Sequence, residues 1–139
     1  MTEDVLIRAN GPIGHISLNR PKALHALTLD MCHAMSAALT EWASDDSIKA
    51  VILDHDEGRG FCAGQDLSDR AVAPGAAPVD LGTSIATYYK PLLLRLRALD
   101  MPTICAVNGV AAGAGANIPF ACDLVFAAKS ASFIQSFAK

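Results

Sequence analysis

The sequence has little positive charge, and its basic side chains are dispersed. Eleven Lys and Arg residues stand against 14 Asp and Glu residues, which gives a formal net charge of −3. Proteins that bind nucleic acids or anionic membranes through charge present a concentrated basic surface, which this chain lacks. No apolar run approaches the roughly 20 residues that cross a bilayer. We therefore expect neither a nucleic acid nor a membrane as a partner.

The cysteines are widely spaced and show no metal-binding or redox pattern. The sequence contains Cys32, Cys62, Cys105 and Cys122. They form no CxxC pair and have no histidine at ligand spacing, so neither a metal site nor a redox motif is predicted. The first nine residues lack the basic and then apolar layout of a signal peptide. We expect small buried thiols and a cytoplasmic location.

Apolar residues, in contrast, make up 52% of the chain. A length of 139 residues predicts one domain over residues 1–139. A small domain with so much apolar side chain has less polar surface to cover its outside. We therefore expect part of the apolar surface to contact another copy in a homo-oligomer.

Strand and helix patterns alternate along the sequence. Residues 5–9 and 14–18 predict a hairpin around Asn10-Gly11-Pro12, and short apolar runs predict strands at 50–53, 103–107 and 124–127. Apolar residues at three- and four-residue spacing predict a helix over 28–42. A second helix is predicted from Thr83 or Ser84 to about Leu99, and a helical turn at 116–122. The small, Pro- and Gly-containing stretch 71–82 predicts a loop. This alternation predicts the α/β class.

Two glycine-rich corners follow predicted strands, at residues 58–64 and 108–115. Glycine and alanine allow a ligand to approach the backbone closely. The NH groups at the start of the next helix have no partner within that helix and attract negative charge. If the two strands are neighbours, each corner can direct one NH at the same oxygen, as in an oxyanion hole.

Three segments resemble the crotonase, or enoyl-CoA hydratase/isomerase, superfamily. They are residues 16–24 (ISLNRPKAL), 60–67 (GFCAGQDL) and 106–115 (AVNGVAAGAG). The resemblance implies a spiral of ββα turns, of which this chain corresponds to the amino-terminal part, and assembly into trimers or dimers of trimers. It also implies oxyanion-hole donors at the backbone NH groups of Gln65 and Ala114.

The same resemblance implies an acyl-CoA substrate and no cofactor other than the coenzyme A of that substrate. The residues implied in contact with substrate or CoA are Lys22, Ala23, Leu24, Ala26, Ala63, Asp66, Leu67 and Asn117. The segments around the two corners are most similar to the 1,2-epoxyphenylacetyl-CoA isomerase branch. Residues 1–61 are at least as similar to 3-hydroxyisobutyryl-CoA hydrolases.

The sequence departs from the hydratase pattern at its two catalytic glutamates. The corresponding positions are Asn117 and Phe137, and neither side chain can transfer a proton in that role. Three functions stay open: isomerisation with a carboxylate from outside these 139 residues, thioester hydrolysis, and CoA binding by a non-catalytic fragment. Whether this chain is itself an enzyme stays open with them.

Other polar residues are expected to have structural roles. Asp66 and Asp69 follow a glycine corner and are expected to cap helices, and His25 is expected to be structural. Asn117 is expected either to bind substrate or to satisfy a local hydrogen bond. No chemistry is assigned to His15, His33 or His55. Tyr88 and Tyr89 are predicted to line an acyl tunnel or to pack in the core.

Overall fold

The computed structural model describes residues 3–70, 74–77 and 80–135. The strands are β1 (Val5–Asn10), β2 (Ile13–Leu18), β3 (Ala50–His55), β4 (Thr103–Val107), β5 (Val110–Ala112), β6 (Leu124–Ala127) and β7 (Ser132–Ile134). The helices are α1 (Leu29–Ala43), α2 (Leu81–Ser84), α3 (Lys90–Ala98) and α4 (Ala114–Ala121). Short 3₁₀ turns lie at Pro21–Ala23 and Leu67–Arg70, and a π-helix at Ile85–Tyr89 joins α2 to α3. The predicted α/β class is confirmed.

Five strands form one sheet in the order β1-β2-β3-β4-β6. The predicted hairpin is confirmed, because β1 and β2 pair antiparallel from Val5 opposite Leu18 to Asn10 opposite Ile13. The remaining pairs are parallel, with β3 at the centre. A second, two-stranded sheet joins β5 to β7. The sequence patterns did not predict these two short strands.

Helix α1 covers one face of the five-stranded sheet. Its apolar stripe is buried and comprises Met31, Cys32, Met35, Ala38, Leu39 and Trp42. A β-carbon on Gly14 of β2 would lie 2.6 Å from the Trp42 ring, so the helix packs here directly on the strand backbone. The Thr28 hydroxyl accepts a hydrogen bond from the NH of Met31 at 3.1 Å. This N-cap begins the helix where the sequence predicts.

The second helical segment begins earlier than predicted, at Leu81. The reason is Asp80, whose carboxylate accepts hydrogen bonds from the Gly82 NH at 2.9 Å and the Thr83 hydroxyl at 2.7 Å. The predicted loop at 71–82 therefore extends two residues into the observed helix. Residues 71–73 and 78–79 of that loop lie outside the described part. Helix α4 also begins early, at Ala114.

The chain's last described elements leave apolar side chains exposed. Six exposed apolar residues form a patch that we call the β6–β7 surface: Phe120, Leu124, Val125, Phe126, Phe133 and Ile134. Phe120 stacks on Phe133 with ring centroids 5.4 Å apart. Within the described ranges, none of the helices is long and apolar enough to cross a bilayer.

Candidate active site

The two glycine-rich corners meet in the structure. The carbonyl oxygen of Val110 accepts hydrogen bonds from the NH groups of Phe61 at 2.8 Å and Cys62 at 3.1 Å. The NH of Ala112 donates in return to the Cys62 carbonyl at 2.9 Å. Three backbone bonds thus hold the first corner against β5 and bring the segments that begin at Gly64 and Gly113 side by side.

Glycine is required where these segments touch. Gly64 has a φ of +110°, and a β-carbon there would lie 3.0 Å from the Ala112 carbonyl oxygen and 4.0 Å from the Ala114 nitrogen. A β-carbon on Gly115 would lie 2.5 Å from the Cys62 carbonyl oxygen. The two corners can approach this closely only because Gly64 and Gly115 have no side chain.

The backbone geometry around Gln65 sets the direction of its NH. Gln65 forms a parallel bridge with Leu27, in which the Leu27 NH donates to the Gly64 carbonyl at 2.7 Å and the Asp66 NH donates to the Leu27 carbonyl at 2.8 Å. The Gly64 carbonyl and the Asp66 NH both point to Leu27. Because backbone groups alternate in direction along an extended segment, the NH of Gln65 points away from Leu27. The second corner pairs with this segment at the bridge between Cys62 and Ala111.

Ala114 provides the second proposed donor. It is the first residue of α4, after the N-cap Gly113. The NH of the first residue has no carbonyl acceptor within its own helix. Gln65 and Ala114 both line a cavity of about 590 Å³. The structure therefore brings the two predicted oxyanion residues to one cavity.

Three segments line this cavity. The first corner and the residues just after it contribute Ala63, Gly64, Gln65 and Leu67, and the second corner with the start of α4 contributes Ala112, Gly113, Ala114 and Asn117. The helical segment 81–98 contributes Ile85, Tyr89, Lys90, Leu93 and Leu94. Sequence reasoning missed this third wall except for Tyr89. Most lining side chains are apolar, as in sites that enclose the apolar part of a ligand.

The predicted CoA-contacting residues divide into two groups. Ala63, Leu67 and Asn117 line the cavity. Lys22, Ala23, Leu24, Ala26 and Asp66 lie outside its lining. The segment 22–26 nevertheless lies alongside the first corner, because the Ala63 NH donates to the Leu24 carbonyl at 3.0 Å. Lys22 is exposed and Leu24 is 47% exposed, so both are accessible to a ligand.

Asp66 and Asp69 both act as helix caps, as the residues predict, while the contact of Asp66 with CoA that the resemblance implies stays a prediction. Asp66 accepts hydrogen bonds from the NH of Ser68 at 2.8 Å and from its hydroxyl at 2.7 Å, and pairs with the Arg20 guanidinium at 2.8 Å. The bonds from Ser68, and then Arg20, lower the pKa of the Asp66 carboxyl to about 2, which makes it a weaker base than an ordinary carboxylate. Asp69 accepts from the NH of Leu29 at 3.0 Å and so caps α1.

Asn117 has a partner that the sequence did not indicate. The side-chain amide of Gln135 donates to Asn117 Oδ1 at 2.9 Å and approaches the Gly113 carbonyl at 3.4 Å. The Gly113 NH donates to Ile134 of β7 at 2.9 Å. Because β7 was not predicted, its neighbour Gln135 could not be placed beside the second corner. Phe137 lies outside the described residues.

The chain is similar in sequence to a family of known enzymes. The enoyl-CoA hydratase/isomerase family profile matches residues 8–139. The chain belongs to this family. The 1,2-epoxyphenylacetyl-CoA isomerase of Escherichia coli K12 is 44% identical over 139 residues, which are 100% of this chain and 53% of the relative. The short-chain-enoyl-CoA hydratase of Clostridium acetobutylicum is 33% identical over 132 residues, or 95% of this chain and 49% of the relative.

Solved structures agree with the family assignment. An enoyl-CoA hydratase from Bacillus anthracis superimposes with a TM-score of 0.83 at 28% identity, over 95% of this chain and 50% of that one. The crotonase-like fold predicted from the three sequence segments is confirmed. This family member spans about half the length of the curated relatives it matches.

The histidines of this family member lie outside the cavity lining. His15 has convergent partners that the sequence did not reveal: its Nε2 lies 2.9 Å from Asp54 Oδ2 and 3.2 Å from the Ser17 hydroxyl, which donates to Asp54. The cluster forms across neighbouring strands β2 and β3, on residues up to 39 positions apart. His25 is fully buried, and its ring centroid lies 5.1 Å from that of His55.

The cysteines are buried free thiols, as predicted. Burial raises the pKa of Cys32 to about 12 and that of Cys62 to about 11, so both stay protonated near neutral pH. Within residues 3–70, 74–77 and 80–135, no three His, Cys, Asp or Glu side chains are grouped for a metal ion.

Proposed function

We propose that this chain binds an acyl-CoA thioester and stabilises negative charge on its carbonyl oxygen, as part of an enoyl-CoA isomerase or hydratase. The supporting observation is that Gln65 and Ala114, on separate corners, line one cavity. In this proposal their NH groups donate two hydrogen bonds to the thioester oxygen. The proposal requires no cofactor other than the coenzyme A carried by the substrate.

The chemistry follows from where charge develops. Removal of a proton from the carbon next to the thioester carbonyl leaves an enolate, whose charge lies largely on the carbonyl oxygen. Fixed NH donors in a site shielded from water stabilise that charge more than they stabilise the neutral thioester, and loss of one donor typically slows such reactions about 10²- to 10³-fold. Gln65 and Ala114 would supply this difference.

The coenzyme would lie along the outside of the first corner. Lys22 is an exposed cation on the 3₁₀ turn Pro21–Ala23, suited to a CoA phosphate. Leu24 and Ala26, next to Ala63 and Leu67, would contact the adenine and pantetheine parts. The acyl group would then enter the apolar cavity and pass Asn117.

The cavity lining supports only part of a catalytic cycle. Among the thirteen described residues that line it, none is a carboxylate or a histidine. The lining therefore offers backbone donors for charge stabilisation but no carboxylate or imidazole for proton transfer. The proposal therefore assigns the proton-transferring carboxylate to a group outside the described residues, and disfavours water addition by a two-glutamate route because Asn117 occupies one of those positions.

The finer assignment follows the relatives. The 44% identity to an isomerase that acts on 1,2-epoxyphenylacetyl-CoA supports an aromatic acyl group and a role in phenylacetate breakdown. The matched relatives carry hydratase and isomerase names, so we propose these activities over thioester hydrolysis. A cytoplasmic homo-oligomer, a trimer or hexamer, completes the proposal. The exposed β6–β7 surface supports self-association.

Titration calorimetry with acetyl-CoA tests this function, with free CoA and light scattering on the same sample as controls. We expect weak binding that is tighter for acetyl-CoA than for CoA, because only the thioester offers a carbonyl oxygen. We also expect poor turnover of enoyl-CoA substrates. Absence of binding would exclude a CoA function for this chain, and rapid turnover would contradict the assignment of the carboxylate to another segment.

A further inference from the structure

The segment between the first hairpin and α1 has an unusual backbone. Leu24 has a φ of 51° and His25 a φ of 55°. This left-handed region is unfavourable for residues with a β-carbon, although Asn, Asp and His enter it more readily than others. Two such residues in succession persist only where surrounding contacts hold them.

His25 provides those contacts. Its ring is fully buried, and its Nδ1 accepts a hydrogen bond from the Arg20 NH at 2.9 Å. Its Nε2 lies 2.7 Å from the Glu57 carbonyl oxygen. Because Nδ1 accepts and a carbonyl can only accept, the ring is neutral with its proton on Nε2. Nδ1 thus closes the segment 20–25 on itself, and Nε2 fastens that segment to the turn after β3.

The fastened segment in turn holds the first corner. Besides the Ala63 bond to Leu24 and the two bonds of Leu27, the Cys62 thiol donates to the His25 carbonyl at 3.1 Å. Leu27 is hydrogen-bonded to Gly64 and to Asp66, the two residues that flank Gln65. A displacement of residues 24–27 would therefore rotate or move the Gln65 NH.

We propose that His25 is a positioning residue for the oxyanion site, which sets the direction of the Gln65 NH through residues 24–27. This inference rests on the proposed function. His25 itself does not line the cavity and does not touch the substrate. Its effect passes through backbone hydrogen bonds, so it alters the polarisation of the bound carbonyl more than the affinity for CoA.

Arg20 is a second attachment of the same segment. Its guanidinium donates to the Ala26 carbonyl at 2.7 Å and pairs with Asp66 at 2.8 Å. Asp66 immediately follows Gln65. The segment is thus fastened from His25 at one side and from Arg20 at the other, and loss of the ring alone leaves a folded but less constrained corner.

Three substitutions separate the ring's contacts. His25→Asn places an amide oxygen near the position of Nδ1 and tolerates the left-handed backbone. His25→Gln places an amide NH near the position of Nε2. His25→Leu retains apolar volume and neither hydrogen bond. The measurement is the infrared carbonyl stretch of acetyl-CoA labelled with ¹³C at the carbonyl, bound to each folded variant, with affinity from calorimetry and folding from circular dichroism.

We expect the original chain to lower the carbonyl frequency, and His25→Leu to lose about half of that shift because one of two donors is misplaced. His25→Asn should retain most of the shift and His25→Gln an intermediate part, with affinity for free CoA unchanged within about twofold. If His25→Leu does not fold, the order of the carbonyl shifts in the original chain, His25→Asn and His25→Gln tests the proposal.

The pH dependence gives a second readout. Protonation of His25 removes the acceptor for the Arg20 NH, so the shift in the original chain should shrink in acid, and it should not do so in His25→Asn. The other titratable groups that face the ring are His55 and Asp56. A His55→Asn control should keep the pH dependence of the original chain.

The outcomes distinguish the two proposals. If the original chain binds acetyl-CoA without any carbonyl shift, the oxyanion function fails, and the positioning role fails with it. If the original chain shows the shift and folded His25→Leu or His25→Gln shows the same shift at every pH, only the role of His25 is wrong.

Discussion

The carbonyl oxygen of Ala112 lies 3.0 Å from the point where Gly64 would carry a β-carbon. Backbone therefore meets backbone where the two corners adjoin, with no side chain between them. This contact brings Gln65 and Ala114 to the same cavity.

Gly64→Ala should destabilise the fold by about 1–3 kcal/mol, because the new methyl group crowds a rigid carbonyl and φ is +110°. Gly11→Ala is the matched control, since its φ is +58° and no atom lies within 4 Å of the added carbon. Urea unfolding of both variants measures the difference. Equal losses would show that the two corners are not in close contact.

Ala114→Pro should remove one proposed oxyanion donor and leave α4 largely intact. Proline lacks an NH but is well suited to the first position of a helix, which Ala114 occupies. We expect affinity for acetyl-CoA to fall about twofold to tenfold while affinity for free CoA changes little, since a hydrogen bond to the neutral thioester carbonyl is worth about 0.5–1.5 kcal/mol. Ala114→Gly keeps the NH and should bind normally. Unchanged binding by the proline variant would contradict the donor assignment.

The stability of the chain should decrease in mildly acidic solution because of His25. Burial lowers the pKa of His25 below its ordinary value of 6.5, so the folded state favours the neutral ring. Stability from this group is complete above pH 6.5 and declines as the pH falls from there through the folded-state pKa. Thermal melts between pH 7.5 and 5 should show a steeper decline for the original chain than for His25→Asn. Parallel curves would exclude His25 as the source.

Phe126→Lys should reduce self-association. Phe126 is 65% exposed on β6, an edge strand of the five-stranded sheet. Apolar edge strands readily pair with other chains, and a lysine opposes such pairing. Light scattering at several concentrations measures the effect, with Asn10→Lys on the opposite edge strand β1 as the control. An unchanged mass for Phe126→Lys would place the contact between copies elsewhere.

The sequence predicted the elements whose signals are local. The turn at Gly11, the cap at Thr28 and the apolar run in β3 each determine structure within a few neighbouring residues. For the two corners the sequence set only a condition, that the strands before them be neighbours, and the parallel pairing of β3 with β4 meets it. The early start of the second helix depends on the side chain of Asp80, whose capping role the loop composition concealed.

Contacts across the sheet could not be predicted in this way. His15 and Asp54 lie 39 positions apart, and only the register of β2 with β3 brings them together. Gln135 reaches Asn117 only because the three-residue strand β7 pairs with β5. Such short strands carry too few residues to show a periodic pattern. The third wall of the cavity was missed because no local motif marks the faces of the segment 81–98.

The π-helix at Ile85–Tyr89 has a consequence for how the cavity wall can change. A π turn contains one residue more than an α turn, so deletion of a single residue there would restore regular α geometry. The helical residues on the amino-terminal side of the deletion would then turn by about 100° around the helix axis, which is the angle between successive α-helical residues. A one-residue deletion would thus replace the side chain that Ile85 presents to the cavity while both glycine corners keep their sequence. Length variation in this segment would therefore reshape one wall of the cavity and leave the backbone around Gln65 and Ala114 untouched.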